Sequence, residues 1–139
     1  IGNACNTNQE AGIALGDRSS ATGYGSFAAG LFAQAAGFGG FALGQYAESS
    51  GNYGSAFGPS ANSTAESATA FGQSASATHT GSIAMGRSIS TVQADTTHVR
   101  ELYIVAPDGG TGGNGITMLS PDGTAYTLTV SNAGALVIT

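Results

Sequence analysis

Glycine divides the first two thirds of the chain into segments of seven residues. It stands at positions 16, 23, 30, 37, 44, 51 and 58, and the same register continues at Gly72 and Gly86. The two positions between these, 65 and 79, hold Ala65 and His79. The residue two places before each of these positions is always small, either Ala or Ser. Self-similarity at a fixed spacing is typical of repeat proteins.

A second period, of fourteen residues, separates alternate segments. One and three places before the glycine position, one set of segments is mostly large and apolar, and the other set is mostly polar or small. Side chains of a strand alternate between its two faces. Each fourteen residues therefore contain two short strands, with glycine at or near each corner. The pattern predicts an all-β chain with a parallel β-solenoid, a narrow β-roll of 14-residue coils, over residues 11–93.

The roll is predicted to have a very thin interior, because the positions that face inward hold only small side chains such as Ala14, Ala28 and Ser49. The larger apolar side chains then lie outside, on one of the two sheets. These predicted interface residues are Ile13, Leu15, Phe27, Phe41, Leu43, Phe57, Phe71, Ile83 and Met85. Monomers rarely tolerate so large an exposed apolar patch. We expect it to be buried against further copies of the chain, in a dimer or a trimer, while the sheet with Ser20, Gln34 and Glu48 faces solvent.

The composition changes after Ala94, and residues 94–139 are predicted to form a small antiparallel β module. Strands are expected at 99–105 (VRELYIV), 116–119, 125–130 and 135–138, with a glycine-rich loop at 107–115. The string SPDGT at 120–124 predicts a turn, since Pro presets φ and Gly accepts positive φ. Residues 1–10 are left as an N-terminal segment.

Charge is sparse, and this excludes several classes of protein. Only 8% of the residues are charged, there is no lysine, and the net charge is -5. Nucleic-acid binding needs clustered cations, so it is not expected. No apolar stretch is long enough to insert into a membrane, and no signal peptide is recognised. Cys5, the single cysteine, is interpreted as an idle or buried residue, with a link between chains as the alternative.

The coils resemble a known family. The stretches SIAMGRSIS at 82–90 and ATAFGQSASA at 68–77 are similar to the head repeats of YadA-like trimeric autotransporter adhesins, whose repeat is approximately S-V-A-I-G-x-x-A-x-A-x-G-x-x. The likeness covers residues 11–93 in register. It implies a left-handed β-roll, a homotrimer around one axis, and display on a surface for adhesion. The family's neck, coiled-coil stalk and membrane-anchor barrel are not recognised after residue 93.

A second resemblance concerns the C-terminal module. The string LSPDGTAYTLTV at 119–130, with Gly134-Ala-Leu136 after it, is similar to a short module of tailed-phage virion proteins. It implies a non-enzymatic fibre, spike or capsid-decoration protein on the virion surface, which contacts other virion proteins and the host. The alternative is the head of a bacterial adhesin that binds a host-surface protein or glycan, located on the cell surface.

No catalytic, metal or cofactor site is expected. The loop at 108–115 (DGGTGGNG) lacks the lysine of a phosphate-binding loop, and a calcium site from Asp108, Asn114 and Asp122 is less favoured than ordinary turns. Neither His79 nor His98 has partners at a catalytic spacing. An enzyme that cleaves glycans needs an acidic pair, whereas Asp17, Glu48 and Glu66 fall on unrelated coils.

Aromatic residues beside the corners are the candidate binding residues. They lie in the first half of the roll and comprise Tyr24, Phe32, Phe38, Tyr46 and Tyr53. The apolar residue Leu31 lies beside them. Exposed aromatic rings give a large, rigid contact area for a glycan or a protein. The alternative is that they pack between adjacent chains of the oligomer.

Overall fold

The computed structural model describes residues 1–100 in full and, beyond them, the backbone of three strands at 116–119, 125–130 and 136–138. Strands of two residues alternate with strands of three along the first part of the chain. The two-residue strands are β1 (Asn6–Thr7), β3 (Ser20–Ala21), β5 (Gln34–Ala35), β7 (Glu48–Ser49), β9 (Asn62–Ser63) and β11 (Ser76–Ala77). The three-residue strands are β2 (Ile13–Leu15), β4 (Phe27–Ala29), β6 (Phe41–Leu43), β8 (Ser55–Phe57), β10 (Thr69–Phe71), β12 (Ile83–Met85) and β13 (Thr97–Val99).

The strands form two parallel sheets, one of two-residue and one of three-residue strands. The first follows the order β1-β3-β5-β7-β9-β11, and the second β13-β12-β10-β8-β6-β4-β2. Every pair is in register at a spacing of fourteen residues, as in Phe27 beside Phe41 and Ala28 beside Ala42. The predicted parallel β-roll, with one coil per fourteen residues and two short strands per coil, is therefore confirmed.

The interior of the roll consists of alanine and a few hydroxyl side chains. Fourteen alanines are buried, most of them completely, and the fully buried side chains of largest volume are serines. The buried hydroxyls are satisfied locally: Ser49 Oγ donates to the carbonyl oxygen of Gly54 at 2.8 Å, and Ser63 Oγ donates to that of Ala68 at 2.8 Å. The prediction of a very thin interior is confirmed, and the largest buried side chain among residues 1–100 is that of Thr91.

Glycine stands at most corners, where successive coils touch. A Cβ added to Gly37 would overlap the carbonyl oxygen of Gly51 in the next coil, and a Cβ on Gly51 would overlap that of Ala65. The following corner residues adopt left-handed backbone even where they are not glycine, as at Phe32, Tyr46 and Ser60, each with φ of 55°. The seven-residue glycine period thus has a steric cause in the coil-to-coil spacing.

Parallel pairing extends beyond residues 11–93 at both ends. Strand β1 pairs with β3, so part of the predicted N-terminal segment lies in the first coil. Strand β13 pairs with β12, with Thr97 beside Ile83 and Val99 beside Met85. The sequence predicts a strand that begins at residue 99 and ends at 105. In the structure Val99 is instead the last residue of β13. Residues 101–105 lie outside the described part of the chain. The compact unit that contains the roll runs from Ile1 to Arg100.

The second compact unit spans Glu101–Thr139. Its described strands are β14 (Ile116–Leu119), β15 (Ala125–Val130) and β16 (Leu136–Ile138), which form an antiparallel sheet in that order. Ile116 pairs with Leu128, and Val130 pairs with Leu136. The antiparallel β module is confirmed in these strands. The loop predicted at 107–115 and the turn at 120–124 lie outside the described residues.

Candidate functional site

The outer side of the three-residue strands is an apolar face, defined by the nine predicted interface residues. Parallel register stacks these side chains in two columns, one through Ile13, Phe27 and Phe41 and the other through Phe57 and Phe71. Ile13 is 50% exposed, Leu43 43%, Phe71 56% and Met85 46%. Leu15, Phe27, Phe41, Phe57 and Ile83 are half-buried. The structure places all nine predicted interface residues on this one face.

Aromatic contacts make the apolar face continuous along the roll. The rings of Phe27 and Phe41 stack with centroids 4.6 Å apart, and those of Phe41 and Phe57 are 5.3 Å apart. Phe57 then contacts Phe71 at 5.9 Å. The row of contacting rings moves from the column of Phe27 and Phe41 to the column of Phe57 and Phe71. It does so because Ser55, not a third aromatic residue, follows Phe41 in the first column. The result is an unbroken ridge of four rings across four coils.

The opposite sheet presents a polar face. Its outward residues include Ser20, Gln34, Glu48, Asn62 and Ser76, of which Gln34 and Glu48 are exposed and the other three are half-buried. The Oδ1 atom of Asn62 is buried without a hydrogen-bond partner. The two outer faces of the roll therefore differ sharply in polarity, as the sequence pattern predicts.

The five predicted binding aromatics do not form one cluster, because they lie at two different corners. Corner A comprises the residues that follow each three-residue strand, and it holds Phe32 and Tyr46. Corner B comprises the residues that follow each two-residue strand, and it holds Tyr24, Phe38 and Tyr53. The sequence pattern alone treats them as one set. The structure divides them into two short ladders.

In the corner A ladder each side chain stacks on the side chain at the equivalent position of the next coil. The guanidinium carbon of Arg18 lies 5.1 Å from the ring centroid of Phe32. The Phe32 and Tyr46 rings are stacked and nearly parallel, with centroids 5.2 Å apart and 5° between their planes. Phe32 is half-buried, and Tyr46 is 53% exposed. Sequence reasoning missed Arg18, although it lies fourteen residues before Phe32.

In the corner B ladder the last ring is turned. The rings of Tyr24 and Phe38 stack at 5.4 Å with 11° between their planes, whereas Tyr53 meets Phe38 edge-on at 5.4 Å and 70°. Tyr53 stands one residue later in its corner than Phe38 does, because Asn52 takes the equivalent position. Asn52 Oδ1 accepts a hydrogen bond from the Phe38 N–H at 3.0 Å. The Tyr53 ring lies over Gly39, where a Cβ would come within 3.2 Å of it.

Cys5 is half-buried in the first coil. Its thiol donates to the carbonyl oxygen of Gly16 at 2.9 Å, and the Ser19 hydroxyl lies 3.5 Å from Sγ. The pKa of Cys5 is lowered from its ordinary value, chiefly by the hydrogen bond from Ser19, with partial burial acting in the opposite direction. The interpretation of Cys5 as an idle or buried residue, with a link between chains as the alternative, stays a prediction.

His79 belongs to a network of hydroxyl groups. Its Nδ1 lies 3.1 Å from Thr78 Oγ1 and 3.3 Å from Thr91 Oγ1. Ser82 Oγ donates to the His79 carbonyl oxygen at 2.6 Å. No acid orients the imidazole within this network, so it is not a nucleophile–histidine–acid arrangement. The Nδ1 atom of His98 is buried without a partner.

Residues 1–100 contain no group of three His, Cys, Asp or Glu side chains that could hold a metal ion. The calcium hypothesis, which used Asp108, Asn114 and Asp122, and the loop at 108–115 fall outside the described residues. In the part of the chain that the structure describes, no helix is long and apolar enough to cross a membrane.

The roll matches a known protein family. The model of the family described as YadA head domain repeat (2 copies) matches residues 10–33, 35–61 and 62–88, which together make up more than half of the chain. No curated protein matches the chain. The matched residues end before 119–136, so the resemblance of that string to a virion module stays a prediction. Coil length, register and small-residue interior agree with the family match, and the chain belongs to the YadA head domain repeat family.

Proposed function

We propose that the chain is a non-enzymatic adhesin head that forms a homotrimer on a bacterial cell surface. The observation that carries this proposal is the continuous apolar face on one side of the roll, opposite a polar face on the other. Family membership supports an adhesin-type head. The apolar face would then lie at the centre of the oligomer, and the polar face and the corners would face the surroundings.

The energetic reason for assembly lies in the small interior. Alanine and serine fill it, and ordering the backbone costs about 1–2 kcal/mol for each residue. Burying a large apolar side chain such as Phe or Leu contributes about 1.5–3 kcal/mol, but a single roll leaves Leu43 and Phe71 about half exposed. Contact with further copies buries them. Three copies are proposed because YadA-like heads are trimeric, since the apolar face by itself would fit a dimer equally well.

A binding role is favoured over catalysis by the placement of the acidic residues. Asp17, Glu48 and Glu66 lie on different coils, and Glu48 and Glu66 belong to different parts of the coil, a strand of the polar face and corner B. Hydrolysis of a glycan requires two carboxyl groups on either side of one bond. Incubation with host polysaccharides followed by analysis of reducing ends tests this point, and release of new ends would contradict the proposal.

A virion fibre or decoration protein is the second candidate. It is favoured by the resemblance of residues 119–136 to a phage module and by the antiparallel sheet β14-β15-β16. The bacterial surface is preferred because the family match covers the roll, which is the larger part of the chain. Segments that flank this one in the native protein discriminate between them: a coiled coil with an anchor barrel indicates a bacterium, and neighbouring capsid or tail components indicate a phage.

Two measurements test the proposal. Sedimentation equilibrium of the full chain should give three times the mass of 13.5 kDa. Beads coated with the protein should attach to host cells or matrix, and beads coated with a globular protein of similar charge should not. A monomeric folded chain would contradict the assembly, and equal attachment of the two kinds of bead would contradict the adhesive role.

A further inference from the structure

The corner A ladder stops at Tyr46. The same position of the three following coils holds Ser60, Ser74 and Ser88. Among the described residues, the aromatic contact of Tyr46 is with Phe32, on the side of the preceding coil. Its second ring face is directed towards the coil of Ser60, where the side chain is a single hydroxymethyl group. A space of ring size therefore follows Tyr46 in the ladder.

The backbone shows that this space continues the ladder. Phe32, Tyr46 and Ser60 share φ values of 55°, and the N–H groups of Tyr46 and Ser60 both donate to the preceding coil at 2.8 Å. A Cβ at position 60 therefore has the same orientation as at 32 and 46. A planar group at the spacing of 5.2 Å found between Phe32 and Tyr46 would stack on Tyr46 and lie against Ser60.

The residues around this space are uncharged, and all but Pro59 are polar. Gln45, Pro59, Gln73 and Ser74 belong to the same corner, and all four are exposed. The cation of the ladder, Arg18, lies two coils away against Phe32. Glu48 follows the corner in the coil of Tyr46, and its negative charge disfavours phosphate, sulfate and acidic sugars. Amides and hydroxyls beside an open aromatic face match a neutral ligand with hydroxyl groups.

In corner B the ring of Phe38 has no such open side. Tyr53 lies edge-on against Phe38, and the Asn52 amide is engaged by the Phe38 N–H. The side of Phe38 that faces the following coil is therefore covered by the chain itself. The two ladders differ in this respect although they contain similar residues.

We propose that the open ring face of Tyr46, with Ser60 beneath it, binds a hexopyranose ring of a neutral glycan. The C–H groups on one side of such a ring carry partial positive charge and stack on the negative face of an aromatic ring. The hydroxyl groups at its edge reach the side chains of Ser60, Gln45 and Gln73. This inference rests on the proposed adhesive function and names the class of molecule that the head binds.

The experiment measures binding of neutral oligosaccharides to the full chain by saturation-transfer difference NMR, followed by calorimetric titration. The probes are maltohexaose, cellohexaose and a β-1,4-galactotetraose, with sialyllactose as the acidic control. Tyr46→Ala removes the ring. Ser60→Phe fills the space and leaves every native aromatic residue in place. Ser88→Phe makes the same change at the same backbone position, two coils further on, where no ring precedes it.

The proposal predicts binding of at least one neutral probe and no binding of sialyllactose. Tyr46→Ala and Ser60→Phe should each weaken the binding about three- to tenfold, the range of one aromatic stacking contact, and Ser88→Phe should leave it unchanged. Failure of all neutral probes, or equal affinity of Ser60→Phe and the wild type, overturns it. If Tyr46→Ala dissociates the oligomer in sedimentation velocity, the ring contacts a neighbouring chain, and the proposal is likewise overturned.

Attachment to host cells separates this proposal from the adhesive function. If the wild type attaches and Ser60→Phe attaches equally well, the glycan site is wrong and the adhesin head is retained. If the wild type binds an oligosaccharide but does not attach to cells, the stacking site is supported and the adhesive role is contradicted.

Discussion

Arg100 donates a hydrogen bond from Nε to the backbone carbonyl oxygen of Arg87, at 3.0 Å. The equivalent carbonyl of each earlier coil accepts instead from a backbone N–H of the next coil, as Gln73 accepts from Ser88 at 2.8 Å. A second bond joins Arg100 Nη2 to the carbonyl oxygen of Ser88 at 3.2 Å. Two neighbouring carbonyl groups at this corner A therefore both accept from the guanidinium of Arg100.

Arg100→Ala should destabilise the roll by about 1–2 kcal/mol, since it leaves two carbonyl groups without their charged donor. Urea denaturation followed by circular dichroism measures the change. Arg87→Ala is the matched control, because only the backbone of Arg87 takes part and its side chain is exposed. Equal losses of unfolding free energy in the two variants would show that the hydrogen bonds of the Arg100 side chain do not stabilise the roll.

Gly51→Ala should destabilise the roll by about 1–3 kcal/mol or more, because the new Cβ would overlap the carbonyl oxygen of Ala65 in the next coil. Gly25→Ala is the contrasting variant: nothing lies within 4 Å of a Cβ there, and only the φ of +63° is unfavourable. We expect a loss of about 1 kcal/mol at Gly25. A thermal midpoint lowered more by Gly25→Ala than by Gly51→Ala would contradict the steric explanation of the glycine period.

Ala42→Leu should prevent the roll from folding normally. Ala42 is completely buried between the two sheets, and added methylene groups in a packed interior cost about 1–3 kcal/mol even where some adjustment is available. Ala36→Leu adds the same atoms at an exposed position in the same coil, and it should change stability by less than about 0.5 kcal/mol. Both are measured by thermal denaturation. Similar midpoints for the two variants would mean that the interior has room that the structure does not show.

Leu43→Glu should dissociate the proposed trimer. Leu43 is 43% exposed in the single chain, so a glutamate is tolerated there unless a further copy covers the position. A buried, unpaired carboxylate is strongly unfavourable. Gln34→Glu places the same charge on the polar face of the same coil and should leave the assembly intact. Sedimentation velocity of both variants decides, and a trimer that survives Leu43→Glu would exclude the apolar face from the interface.

Cys5 should be alkylated at lower pH than an ordinary thiol, since a lowered pKa leaves more thiolate at a given pH. The hydroxyl of Ser19 is the main cause, so Ser19→Ala should move the pH midpoint of the reaction upward. Alanine fits this position, because Ala33 and Ala47 occupy it in the next coils. The rate of reaction with iodoacetamide between pH 6 and pH 10 checks this. Coincident midpoints for wild type and Ser19→Ala would refute the role of Ser19.

The sequence by itself determined the coil, its two strands and its two outer faces. These follow from period alone: glycine recurs at the corners, where successive coils touch, and side chains two residues apart share a face. The same period, counted past the last glycine, leads from Ile83 to Thr97, where β13 pairs in register. The prediction that ended the roll at residue 93 relied on glycine, whereas strand pairing depends on backbone hydrogen bonds that any residue can form.

The tertiary structure decided how individual side chains meet between coils. The period aligns Arg18, Phe32 and Tyr46 in the sequence, but only the tertiary structure shows that they stack in one ladder. It also shows that Tyr53 turns edge-on and covers the ring of Phe38. Side-chain rotation and the one-residue shift at Asn52 settle these contacts, and neither is contained in a repeat pattern. A pattern fixes which residues are neighbours, whereas the geometry of packing fixes which surfaces stay open.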